Sequence, residues 1–390
     1  MNANTQTGKT PEAVHLRGLP SQLNWLNALN NEPATGVYEY LFYSDAHITG
    51  EFTSGLGPYS FLNTVPIPDM PGIITAPIIL RLVDHLPKYR PDMSKKDEVF
   101  YHGGRMVDEL AALTSLSIGA RIIAGGVSRQ FEPDKDPLGR PVAWDYRPAP
   151  FFRVRPGRYV LPSIPGTHSL DKLDILNSIP KILPERYVNL IRSCNAYQDA
   201  LWAAESEPHL AWLLFVSALE TAANDIYLTD TPPTERLKDA KPDLASVLME
   251  AGGDHLVEKV AELIAPSLGA TKKFLDFTLT FGPDEPTDRP DQVWLRVKWT
   301  KTNLKQTLSK VYEYRSRSLH SGLAFPAPMY DPPFYYDGNS NPSEVPLTGL
   351  AAHSCGGTWM PADMPINLHC FHYITRETLL NWWRNIVNDR

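Results

Sequence analysis

Cysteine is scarce in this chain: Cys194, Cys355 and Cys370 are the only three in 390 residues. So few thiols exclude a disulfide framework as the source of stability. Long apolar runs are missing too. The closest, Ile73 to Leu82, is broken by Pro77 and falls short of the roughly 18 residues that a membrane span needs. Met1 to Thr10 lacks the apolar stretch of a secretory leader. Positive charge is in the minority, with 37 Lys and Arg against 44 Asp and Glu, a net charge of −7 and a pI near 5.9. That balance argues against a bulk electrostatic grip on duplex DNA. Two local basic clusters remain, Arg147/Arg153/Arg155/Arg158 and Lys298/Lys301/Lys305/Lys310; solvated charged faces account for both more simply than a groove does. These absences lead us to expect a cytoplasmic protein that does not contact membranes.

What is present is proline. The 36 prolines are about twice average usage, and they crowd the first 165 residues and the stretch from 283 to 365. Between Gly36 and Ile79, aromatic and β-branched residues alternate with Gly and Pro, a pattern of short strands and turns. Its aromatics (Tyr38, Tyr40, Phe42, Tyr43, Phe52, Tyr59, Phe61) suit the core of a small sheet better than a base-stacking platform. The spacing predicts a helix over 97–123, closed by Gly125-Gly126, then a long loop over 130–150 and a strand near 151–160. Residues 167–184 read as a linker or short helical bridge.

The second half changes character. Pro184 and Pro208 open two long helices, the second of them apolar enough to be central. Shorter helices are expected at 245–251, 255–264 and 271–280, another ending at Gly322, and a last amphipathic one over 375–387. The fold class expected is therefore α+β: an N-terminal mixed domain over 1–175 of unassigned role, then a helical domain over 176–390.

Chemistry concentrates in Val311-Tyr-Glu-Tyr-Arg315-Ser-Arg-Ser-Leu-His320-Ser-Gly322. Leu304, Leu308, Val311 and Leu319 mark an apolar side, and Gly322 with Pro326 ends the run, so Arg315 and His320 fall in the last two turns. An always-charged guanidinium can hold phosphate oxygens while an imidazole moves a proton. The two residues lie about 140° apart around an ideal helix, and convergence across a dimer would bring them to one ligand more easily. Arg317, three residues before His320, is closer to it on the helix surface. Glu220 in the central helix could orient Arg315, or sit at the surface beside another cation.

The Arg-x4-His element in its Tyr-Arg-Ser…His-Ser-Gly frame, with Ser217-Ala-Leu-Glu220 in an earlier helix, resembles the HEPN superfamily and in particular its Apea-like branch. The likeness covers about residues 185 to 390 and selects Arg315 over Arg317. It implies a helical bundle that dimerises, lining one cleft with two Arg-x4-His elements. It further implies a metal-independent endoribonuclease, of the kind found in phage defence and toxin systems and sometimes restrained by a partner protein. By position Arg315 would bind the scissile phosphate of RNA and His320 would act as general acid or base. Ser316 stands where family members often carry Asn, Asp or His. Other members only bind RNA or nucleotides, or act as scaffolds.

No other motif competes. His353, Cys355, His369, Cys370 and His372 are zinc-type ligands, but their spacings fit no standard zinc module. No phosphate loop, EF-hand or nucleophile elbow occurs. Neither a metal nor an organic cofactor is expected.

Overall fold

A computed structural model describes residues 19–65, 73–87, 104–132, 136–143, 147–151, 159–227, 232–264, 269–336, 341–354 and 357–388. The expected α+β class holds: an antiparallel sheet in the first half and many helices around and after it.

The first half opens with α1 (Pro20–Leu29), whose N-terminal proline cannot donate a hydrogen bond and loses nothing at that position. The aromatic-rich segment then forms β1 (Gly36–Ser44), β2 (His47–Thr49), β3 (Tyr59–Asn63) and β4 (Thr75–Asp84). With β5 (Ile123–Phe131) and β6 (Arg140–Pro141), the sheet order is β3-β4-β1-β5-β6. Alternation is clearest in β4, where Ile78, Leu80 and Leu82 are buried, Ile79 and Val83 are partly so and Arg81 is exposed; Phe42 and Phe61 are buried beside them. The helix α2 (Met106–Ile118) is buried against this sheet's end of the core.

The expectation for residues 97–126 needs correction here. The helix predicted over 97–123 ends at Ile118, because Gly119 takes the left-handed cap at φ 74°; residues 97–103 lie outside the described ones. Gly125-Gly126 instead sit inside β5, where a β-carbon on Gly125 would meet the Tyr43 ring at 2.5 Å. Of the two readings of residues 167–184, linker or short helical bridge, the helical one holds, and the segment is part of the core. Thr167–Ser169 forms β7, parallel to β2, and Leu170–Lys181 is a 3₁₀ helix. Its buried residues, Leu170, Leu173, Leu176 and Ile179, recur every three residues, the period of that helix. Of the strand expected near 151–160, residues 152–158 lie outside the described ones. A two-residue strand, β6, interrupts the expected 130–150 loop.

The second half comprises α3 (Pro184–Ala203), α4 (Pro208–Tyr227), α5 (Pro233–Ala240), α6 (Pro242–Ile264), α7 (Ala270–Phe281), α8 (Lys301–Ser321) and α9 (Leu368–Asn388). A small hairpin, β8 (Ala352–Ser354) and β9 (Gly357–Trp359), departs from an all-helical reading of this half. The helix α6 breaks at Gly253, φ 67°, close to where two separate helices were expected. One apolar core runs from Leu19 to Ile386, continuous across residue 175. Trp212 lies in it, stacked between Phe325 at 5.1 Å and Phe371 at 4.8 Å. No helix among the described residues is long and apolar enough to cross a membrane.

Arg376 of α9 reaches the end of α2, donating from Nε to the Leu116 carbonyl (2.9 Å) and from Nη2 to the Ser117 carbonyl (2.6 Å). A cation on the orphan carbonyls of a helix end is favourable twice, through hydrogen bonds and through the helix dipole. A β-carbon on Gly119 would meet Arg376 Nε at 2.8 Å and would have to adopt a left-handed backbone. Gly119→Ala should therefore lose about 1–2 kcal/mol in urea denaturation. A loss below a few tenths would show that the cap relaxes freely.

Candidate functional site

The helix that carries the motif begins with Thr300, whose hydroxyl accepts the Asn303 amide at 3.3 Å, and ends with Gly322 at φ 65°. Thr307, Leu308, Val311, Tyr312 and Tyr314 are its buried residues. Leu319, expected on that side, is exposed.

Tyr312 and Arg315, three residues apart on α8, both turn toward α4 and meet the same carboxylate. Arg315 Nη2 donates to Glu220 Oε2 at 2.6 Å, and Tyr312 Oη donates to Oε1 at 2.8 Å. Glu220 thus pairs with Arg315 itself rather than with another cation. The Arg315 guanidinium also lies 5.6 Å from the centre of the Tyr312 ring. Thr271 of α7 hydrogen-bonds the Tyr312 hydroxyl. Burial first, then the Glu220 hydrogen bond and charge, holds the Tyr312 phenol well above its ordinary range, so it stays a donor. The Arg315 and Glu220 side chains keep 20 % and 19 % of their surface exposed, which leaves the guanidinium reachable. Arg315 Nε is buried and has no hydrogen-bond partner among the described residues.

The other motif residues point elsewhere. Arg317 pairs with Glu313 one turn back (2.5 Å) and covers the Tyr314 ring, half-exposed. That pairing takes Arg317 away from Glu220 and separates it from Arg315 in role. Ser316 is partly buried. His320 is exposed in the last turn, and no side-chain hydrogen bond holds it among the described residues. Among the described residues, then, the fold joins Arg315 to Glu220 and leaves His320 without a side-chain partner.

Beside this pair, α4 and α7 enclose a cavity of about 330 Å³ lined by Ser217, Glu220, Thr221, Asn224, Lys273 and Phe274, among others. Sequence reasoning missed Lys273, although two adjacent lysines opening a helix, where acids are favoured, were a signal.

The His/Cys group is dispersed. His372 is buried, stacks on Tyr197 and meets its hydroxyl at 2.8 Å, and burial pushes its pKa down to about 3. His353 pairs with Thr358 in the β8–β9 hairpin, and Cys355 lies outside the described residues. Among the described residues no group of three or more His, Cys, Asp or Glu side chains converges as metal ligands do.

No protein-family model, curated protein or solved structure matches this chain. The resemblance to the HEPN superfamily accordingly rests on the sequence motif alone.

Proposed function

We propose that this protein is a metal-independent endoribonuclease whose site is built from Arg315, His320 and Glu220, and that two chains pair to complete it. The observation that carries this reading is the Glu220–Arg315 pair: a carboxylate, itself held by a tyrosine hydroxyl, fixes a partly exposed guanidinium two turns from a helix end whose histidine is exposed. A guanidinium held at one nitrogen still offers other N–H groups to a phosphate. His320, exposed and unengaged, is able to exchange protons with a substrate.

In the reaction the ribose 2′-oxygen attacks phosphorus, its proton passing to a base. The bond to the 5′-oxygen breaks, and that oxygen takes a proton from an acid. The products are a 2′,3′-cyclic phosphate and a 5′-hydroxyl, and a strand lacking the 2′-hydroxyl is not cut by this route. One imidazole accepts or donates; a second, from the partner chain of a homodimer, supplies the opposite step. Arg315 stabilises charge on the non-bridging oxygens. Ser316, next to the arginine, supports the site only through its place in the helix. A role in phage defence or a toxin system, with a restraining partner protein, extends the same reading.

A second reading draws on the same pair. Glu220 already matches the Arg315 charge, as in a non-catalytic scaffold or RNA-binding dimer where the ion pair staples α8 to α4. The test is incubation of the purified protein with RNA in EDTA, alongside Arg315→Ala and His320→Ala. Cleavage by the wild type that both substitutions abolish supports the nuclease. Absence of cleavage, or cleavage that survives both, supports the scaffold.

A further inference from the structure

The cavity between α4 and α7 contains a lysine that the reaction above does not use. Lys273 lines it in the first turn of α7, is partly buried, and has neither an ion-pair nor a hydrogen-bond partner among the described residues. Its setting opposes a bare cation on three counts. The start of a helix carries partial positive charge, and no acid stands in the first turn of α7 to offset it. Burial and the nearby Arg236 guanidinium both lower the Lys273 pKa. A flexible ammonium that can reach water normally leaves such a place.

The rest of the lining tells what would offset the charge. Ser217, Thr221 and Asn224 come from successive turns of α4 and supply hydroxyl and amide groups. Glu220 is the acid of the lining, and Arg315 and Tyr312 already engage it. The cavity therefore offers one uncommitted cation and several neutral polar groups. Its volume, about 330 Å³, is at the lower end of small-ligand pockets. That set matches a phosphoryl group with part of a nucleoside attached.

We propose that Lys273, with Ser217, Thr221 and Asn224, forms a phosphate-binding subsite beside the Glu220–Arg315 pair. The phosphoryl group has two sources: the strand of the RNA being cut, one or more nucleotides from the scissile bond, or a free mononucleotide. The first deepens the nuclease reading and rests on it; the subsite itself does not need cleavage to exist.

Binding of a short 2′-O-methyl oligoribonucleotide, which the proposed reaction does not cut, separates these questions. Fluorescence anisotropy against salt is to be measured for the wild type, Lys273→Met and Lys273→Arg, with AMP as the second probe and thermal unfolding as the folding control. Loss of one single-strand phosphate contact lowers the slope of log K against log salt by about 0.7. Lys273→Met should show that drop and bind about tenfold more weakly, while Lys273→Arg keeps both the slope and most of the affinity. Competition by AMP that is lost in Lys273→Met assigns the subsite to a free nucleotide, and oligonucleotide binding without AMP competition assigns it to the strand. An unchanged slope and affinity in Lys273→Met, or no binding of either probe to the wild type, overturns the proposal. Failure of the nuclease reading would look different: oligonucleotide bound through Lys273 but natural RNA left intact.

Discussion

Replacing Arg121 by methionine should cost about 3–5 kcal/mol of stability, the range for breaking a buried ion pair from one side. The Arg121 side chain is fully buried. Nη1 donates to Asp45 Oδ2 at 2.5 Å, Nη2 to Glu205 Oε1 at 2.6 Å, and Nε to the Leu201 carbonyl at 2.8 Å. Asp45 is as buried as Arg121, and its other oxygen has no hydrogen-bond partner among the described residues. Methionine would thus strand a carboxylate in the core with nothing to hold it. Glu205 is better provided, since its oxygens also accept the Val160 and Leu161 amides at 2.8 and 3.3 Å. Asp45 should therefore account for most of the loss, and Arg121→Met combined with Asp45→Leu should recover a good part of it. Urea unfolding followed by fluorescence and circular dichroism checks both variants. A loss under about 1 kcal/mol for the single variant would mean that water reaches the site.

The same network explains why the two halves of this chain share one core. Arg121 and Asp45 come from the strand-rich half, while Leu201 and Glu205 come from α3 and the turn after it. Arg376 bridges the halves again at the end of α2. The change in proline content along the sequence suggests a boundary near 175. Composition, however, reports local backbone preference, and these links are contacts between residues 76 to 260 positions apart.

Legibility followed the same division. The helices opened by Pro184 and Pro208, the cap at Gly322 and the strand pattern from Gly36 all follow from short-range rules, and the structure contains them. Gly119 was passed over for Gly125-Gly126 because two glycines outweigh one until pairing with β1 is known. The 3₁₀ helix was readable in principle, from apolar residues at every third position of 170–179. For Arg121 the available signal was one arginine inside Ile118-Gly-Ala-Arg-Ile-Ile123, but nothing local names its partners. At the candidate site, Arg315 and Glu220 both stand out in the sequence. Their pairing depends on the packing of α8 on α4, and the place of Lys273 depends on the cavity, neither of which is a local property of the sequence.

The sharpest prediction at the site concerns how the substitutions differ rather than that they lose activity. His320→Ala should reduce RNA cleavage by about 10²–10⁴-fold, the usual worth of a proton-transfer group, and leave stability nearly unchanged because His320 is exposed and unengaged. Arg315→Ala should reduce cleavage and also destabilise the fold by about 1–2 kcal/mol, since it leaves the mostly buried Glu220 carboxylate with only Tyr312. Glu220→Gln keeps the shape and a hydrogen-bond acceptor for Arg315, but removes the charge that aims it. If orientation is the function of Glu220, cleavage should fall about tenfold to a hundredfold with kcat affected more than KM, because a misplaced group costs mainly in the transition state. If the ion pair is only a staple between α4 and α8, Glu220→Gln and Arg315→Ala should shift the unfolding midpoint and nothing else. Rate constants and unfolding curves on the same three proteins separate the cases: a positioned arginine moves both readouts, a staple moves only the second.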